Sequence, residues 1–177
     1  MIQSFRKVFE EKIFELGYSL SNQQGGFYIL FEQNLKYFLD VRLIISEQPN
    51  LSIHGSKNGL DIQAIGLFKF NQPLFYQDPD FYIFMFQNRY NQRIEYLIIP
   101  NDELKKRLSL RSSDFERQKL FRIMFWLMPD NSIYDTTRIS PEGEWYFLSK
   151  GVNERMADKG DMDYTTFLNN WGLLNRS

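Results

Sequence analysis

The stretch Asp80-Phe-Tyr-Ile-Phe-Met-Phe86 is followed by a polar Gln-Asn-Arg-Tyr-Asn-Gln and then by Arg93-Ile-Glu-Tyr-Leu-Ile-Ile-Pro100. Two apolar runs of strand length, separated by turn-forming residues, predict a strand pair over 80–86 and 93–99. Pro100 ends the second strand because it cannot continue the ladder. Asn101 is then placed to cap a helix over 102–108, with Asp102 and Glu103 at the positive end of its dipole. No residue in this unit carries catalytic chemistry of its own. It constrains the scaffold, and any site has to be supplied by the strands around it.

Upstream, Ile2, Phe5, Phe9, Ile13 and Leu16 recur at helical spacing, with Gly17 as a stop, so a helix is predicted over 2–16. Residues 27–31 and 36–46 read as strands joined by a turn at Gln33-Asn34. Leu51 to Gly66 reads as a hairpin, with strands over 51–55 and 60–66 turning at Asn58-Gly59. A loop containing Pro73 and Pro79 leads into the strand pair. Downstream, Ser113-Asp-Phe-Glu116 has capping-box spacing, and Leu120, Ile123, Met124 and Leu127 suggest a second helix that stops at Pro129. A last short helix is expected around 164–174, with Phe167, Leu168, Trp171 and Leu174 docking on the rest. The order implies an α+β protein with a mainly antiparallel or mixed central sheet flanked by helices. It divides into a core over 1–110 and a helical extension over 111–177 docked on that core.

The chain has 17 Phe, 10 Tyr and 3 Trp, which supplies enough large apolar surface for a sizeable core. The formal net charge is −1, which argues against a dedicated polyanion binder and leaves room only for a local basic face. Lys105, Lys106, Arg107 and Arg111 form one candidate face; Arg117, Lys119 and Arg122 form another. There is no Cys, so disulfides, thiolate chemistry and Cys-ligated metal sites are excluded. The charged, amphipathic N-terminal segment lacks the apolar run of a signal peptide, and no stretch reaches the length that spans a bilayer. A cytoplasmic location with no membrane partner is therefore expected.

The order of helix, strands with an Asn-Gly hairpin, Asp-Phe-Tyr-Ile-Phe-Met-Phe and Tyr-Leu-Ile-Ile-Pro-Asn-Asp-Glu-Leu resembles the restriction-endonuclease-like superfamily with its PD-(D/E)XK motif. The likeness is to small bacterial members with a degenerate motif, and it extends to the Phe167-Leu-Asn-Asn-Trp171 tail. It implies a site of two carboxylates holding Mg²⁺ or Mn²⁺ and a Lys that orients the attacking water. In one register Ser52 stands at the first Asp, Gln63 at the second acid and Ile65 at the Lys, and the site is lost. In a second register Asp40 is the first Asp, and Asp61 with Gln63 forms the acid-x-polar pair. Alternation puts Asp61 and Gln63 on one strand face, and Glu11 is a further carboxylate in reach. The resemblance then implies Asp40, Asp61 and Gln63 as catalytic residues and Asp40 and Asp61 as metal ligands. Lys105, Lys106 and Arg111 are the nucleic-acid contacts that the charge pattern offers.

Other constellations are sparse. His54 is the only histidine, and no nucleophile elbow, Walker loop or dinucleotide fingerprint is present. The tail acids Glu142, Glu144, Asp158, Asp161 and Asp163 fit no EF-hand loop. Three readings follow. The first is a binding or accessory module on a nuclease-like scaffold with a degraded site and no bound cofactor. The second is a divalent-metal-dependent nuclease using Asp40, Asp61 and Gln63. The third is a protein–protein interaction module. Weak nucleic-acid binding or a protein partner is compatible with the first, and the sequence sets no oligomeric state.

Overall fold

Phenylalanines from two sheets interleave along the middle of the protein, and the chain order is best followed from that layer outward. The computed structural model describes residues 2–23, 26–31, 38–47, 62–71, 79–88, 90–110, 120–137 and 162–175. Helix α1 (Ile2–Glu15) is followed by β1 (Tyr18–Gln23), β2 (Gly26–Phe31), β3 (Phe38–Ile45), β4 (Ala64–Asn71), β5 (Phe81–Gln87) and β6 (Ile94–Pro100). Then come α2 (Asn101–Ser109), β7 (Leu120–Leu127), β8 (Ile133–Asp135) and two 3₁₀ turns, Thr165–Phe167 and Trp171–Asn175. The first sheet has the order β1-β2-β3-β5-β6, antiparallel throughout except for the parallel β3–β5 pair. The second, β4-β7-β8, is wholly antiparallel.

Strand β5 is buried from Phe81 to Phe86, as a strand covered on both faces must be. By alternation Tyr82, Phe84 and Phe86 share one face. Phe84 meets Phe68 of β4 at 4.9 Å and Phe125 of β7 at 5.9 Å between ring centroids, both edge-on, and Phe70 stacks with Phe121 at 5.7 Å. The opposite face carries Ile83 and Met85, which belong to the same core as Phe5, Phe9 and Ile13 of α1 and Leu104 and Leu108 of α2. Just past β3, Ser46 joins the two sheets. Its backbone N–H donates to Met85 O at 2.9 Å, and its hydroxyl accepts from Leu67 N at 3.0 Å.

The α+β class, α1 with Gly17 at φ +81°, and the β5–β6–α2 unit agree with the expectations from sequence. Asn101 departs in detail: it is the first helical residue rather than the cap, and its N–H donates to Asp80 O at 3.0 Å. The helix expected from Ser113 to Pro129 is corrected over its described part; residues 113–119 lie outside the described residues. Residues 120–127 form β7, paired along its whole length with β4. Leu120, Ile123, Met124 and Leu127 have helical spacing, but Phe121, Ile123, Phe125 and Leu127 also alternate, and these four are the buried set. A short apolar run satisfies both periods, and an aromatic-rich one favours the pleated surface once a partner strand is present.

The strand expected over 60–66 instead runs over 64–71, with residues 62 and 63 outside any strand, and residues 51–61 of the hairpin lie outside the described residues. Gly66 is not its end. A Cβ there would sit 2.5 Å from Phe68 Cε2 and 3.2 Å from Phe86 Cγ, so glycine marks a close approach in mid-strand. Strand β1 was not anticipated, because Tyr-Ser-Leu-Ser-Asn-Gln has no apolar run. Within the extension over 111–177, the described residues hold strands and 3₁₀ turns and no α-helix. The tail does dock. Phe167, Leu173 and Leu174 are buried, and Trp171 packs edge-on against Tyr96 at 4.9 Å.

Two stability measurements check this packing. Gly66→Ala should lower the urea midpoint by an amount equivalent to about 1–3 kcal/mol through overpacking. Gly172→Ala, where a Cβ meets nothing closer than 3.4 Å, should change stability by less than about 0.5 kcal/mol. Truncation after Lys159 should remove several kcal/mol, at about 1.5–3 kcal/mol for each large apolar side chain uncovered, and should lower the melting temperature accordingly.

Candidate functional site

Polar side chains gather at the two ends of β5, and two of the residues singled out from sequence, Asp40 and Gln63, lie one at each end. At the start of β5, Asp40 of β3 lies beside Asp80. Asp40 N–H donates to Asp80 Oδ2 at 2.8 Å, and Asp80 N–H donates to Asp40 O at 2.8 Å. Alternation places Arg42 on the same face as Asp40, and Arg42 Nη2 lies 3.4 Å from Asp40 Oδ2. The Arg42 side chain is only 6% exposed, against 20% for Asp40. Its Nε and Nη1 have no hydrogen-bond partner among the described residues. Burial pushes the Asp40 carboxyl above its ordinary value; Arg42 opposes the rise and Asp80 adds to it.

At the other end of β5, Gln63 belongs to a polar network. Asn88 Nδ2 donates to Gln63 Oε1 at 3.3 Å and to Glu95 Oε1 at 3.2 Å, and Gln63 Nε2 donates to Pro129 O at 3.5 Å. Asn169 Nδ2 donates to the second Glu95 oxygen at 2.7 Å. Glu95 and Asn88 are both buried, so this carboxylate is held by two side-chain amides. Such fully engaged groups join the loop before β4, the β5–β6 turn and the tail. The Tyr96 phenol, next in sequence to Glu95, is pushed up to about 12 by burial and by the carboxylates of Glu15 and Glu95. It therefore stays neutral at physiological pH.

Asp40 and Gln63 are thus not brought together. Asp80 and Asn88 mark their positions along β5, and eight residues of strand correspond to about 25 Å. Asp61, Ser52 and His54 lie outside the described residues, and Ile65 is buried on the second sheet. On α2, Lys105 is half-buried, and Lys106 is exposed with Glu103 at 3.8 Å. Arg111 lies outside the described residues. Arg107, in the same run, is a structural clamp: it pairs with Glu103 at 2.6 Å and lies over the Tyr164 and Phe167 rings at 4.6 and 5.0 Å. Among the described residues no group of three or more His, Asp or Glu side chains is arranged to hold a metal ion.

Sequence reasoning passed over Arg42, Asp80, Asn88, Glu95 and Asn169. Arg42 could have been flagged by its i, i+2 relation to Asp40. The others gain partners only across strands, and no local signal marks them. No family model, curated protein or solved structure matches this chain.

The Asp40 environment fixes a pH dependence. A carboxyl whose folded pKa is raised binds its proton more tightly in the folded state. The contribution of Asp40 to stability therefore falls as pH rises through the interval above the ordinary value of 3.8, and the loss is complete above the folded pKa. Asp40→Asn keeps an acceptor for Arg42 and removes the titration. Its melting temperature should match that of the unaltered protein near pH 3 and exceed it increasingly toward neutrality, reaching a plateau there.

Proposed function

We propose that this protein is a binding or accessory module on a restriction-endonuclease-like scaffold, without the metal-dependent cleavage chemistry of that superfamily. What supports the reading most directly is the state of Asp40. Its carboxylate lies next to a buried, permanently charged guanidinium, which already supplies a positive charge of the kind a divalent cation would bring. The remaining donors fit a metal poorly. Mg²⁺ needs a near-octahedral set of hard oxygens, whereas Gln63 is committed to a network about 25 Å away along the strand. The opening helix followed by an antiparallel meander supports the scaffold itself.

One observation favours the nuclease reading as the alternative. Asp80 lies beside Asp40 and raises its pKa, so a second carboxylate is present that the motif did not point to. Well-folded protein incubated with Mn²⁺ and a panel of DNA and RNA substrates should cleave none of them. Calorimetric titration with Mn²⁺ should show no saturable site that Asp40→Ala removes. Metal-dependent cleavage that is lost in both Asp40→Ala and Asp61→Ala would overturn the proposal in favour of the nuclease.

A further inference from the structure

Lys69 of β4 stands directly opposite Arg122 of β7, and both side chains are exposed. Their sequence neighbours Phe68, Phe70, Phe121 and Ile123 are buried toward the first sheet, so alternation puts the two cations on the outward face of the second. Directly opposed residues in an antiparallel pair have Cβ atoms about 5 Å apart, and like charges there destabilise the ladder. Neither residue forms an ion pair among the described residues. Partly exposed Leu67, Met124 and Leu120 flank them on the same face. The basic run on α2 is different, because it carries its own acids: Glu103 takes both Lys106 and Arg107.

An oxyanion seated between Lys69 and Arg122 would turn their repulsion into two attractions. A phosphodiester suits the pair best. Its two non-bridging oxygens can meet an ammonium and a guanidinium at once, and the backbone repeats that charge at regular intervals along an extended strand. We infer that the outward face of β4–β7, centred on Lys69 and Arg122, is a contact surface for the phosphate backbone of nucleic acid. The inference rests on the reading of the protein as a binding module that does not cut. With two phosphate contacts the binding is weak, and the slope of log affinity against log salt is about −1.4 on a single strand.

The test is fluorescence anisotropy of a labelled oligothymidylate at several salt concentrations, using the full chain. Arg122→Glu should weaken binding by about tenfold or more, and Arg122→Gln should reduce the salt slope by about 0.7. Arg122→Glu should at the same time raise the melting temperature, because it places opposite charges across the ladder. A fall in affinity together with a rise in stability separates loss of a contact from loss of the fold. Lys106→Glu should leave binding unchanged. Wild-type affinity in Arg122→Glu, or an equal loss in Lys106→Glu, would overturn the assignment of this face. Poly-glutamate competing as well as unlabelled oligothymidylate would overturn the nucleic-acid ligand. Running the labelled strand on a denaturing gel after incubation with Mn²⁺ checks the non-cutting reading separately, since a shortened strand would refute that reading whichever face binds.

Discussion

The aromatic layer between the two sheets is the interaction on which the rest of the structure depends. Phe68 is its centre, with Phe84, Phe86 and Phe125 around it at centroid distances of 4.9, 6.2 and 5.9 Å, all edge-on. Edge-to-face pairs add about 0.5–1.5 kcal/mol each beyond the area they bury. At residue 66 the Phe68 and Phe86 rings occupy the space a Cβ would take. Glycine at that position lets the backbone of β4 approach the layer closely. The second sheet is therefore held by shape complementarity to β5, with Ser46 supplying a polar tie at the junction.

Two sheets mean several sheet edges, and an open edge invites unwanted pairing. Short non-strand segments cover most of them here. Asn169, at φ +50°, receives a hydrogen bond from Tyr96 N on its side-chain oxygen and returns one from its own N–H to Tyr96 O. It imitates a strand partner for β6 at one point, and Leu168 forms a bridge to Leu97 beside it. The segment around Met162 to Tyr164 does the same for β8. Ser46 and Glu47 pair with Leu67 on the free side of β4. The C-terminal residues are thus part of the sheet system. Arg107 of α2 fastens them by a hydrogen bond donated from its guanidinium to Asp163 O and by its position over Tyr164 and Phe167.

The same arrangement separates the polar residues. Strand β5 is apolar from Phe81 to Phe86, so it holds polar groups only at its ends. At one end Glu95 is satisfied by neutral amides; at the other Asp40 is countered by Arg42. Lys69 and Arg122, opposed on the outward face of the second sheet, form no ion pair within the described residues.

Much of the scaffold was legible from local pattern. The helix of Phe5, Phe9 and Ile13 stopping at Gly17, the β5–β6 pair with its polar turn, and the helix that follows Pro100 are each specified by residues close in sequence, because capping, turn chemistry and hydrophobic period act over a few residues. The sequence also fixed by itself that no thiolate chemistry is possible and that the net charge is near zero. Local pattern misread 120–127, where helical and alternating periods coexist and only β4, some fifty residues earlier, selects the strand. It did not foresee β1, whose polar residues become a strand because β2 supplies the ladder. The candidate site depended even more on tertiary structure. Whether Asp40 and Gln63 converge, whether Arg42 is buried beside Asp40, and whether Lys69 faces Arg122 are all questions of register and layer. Register is set by the buried faces of strands that meet across long loops, so the same side chains could lie together or about 25 Å apart with no change in their local sequence.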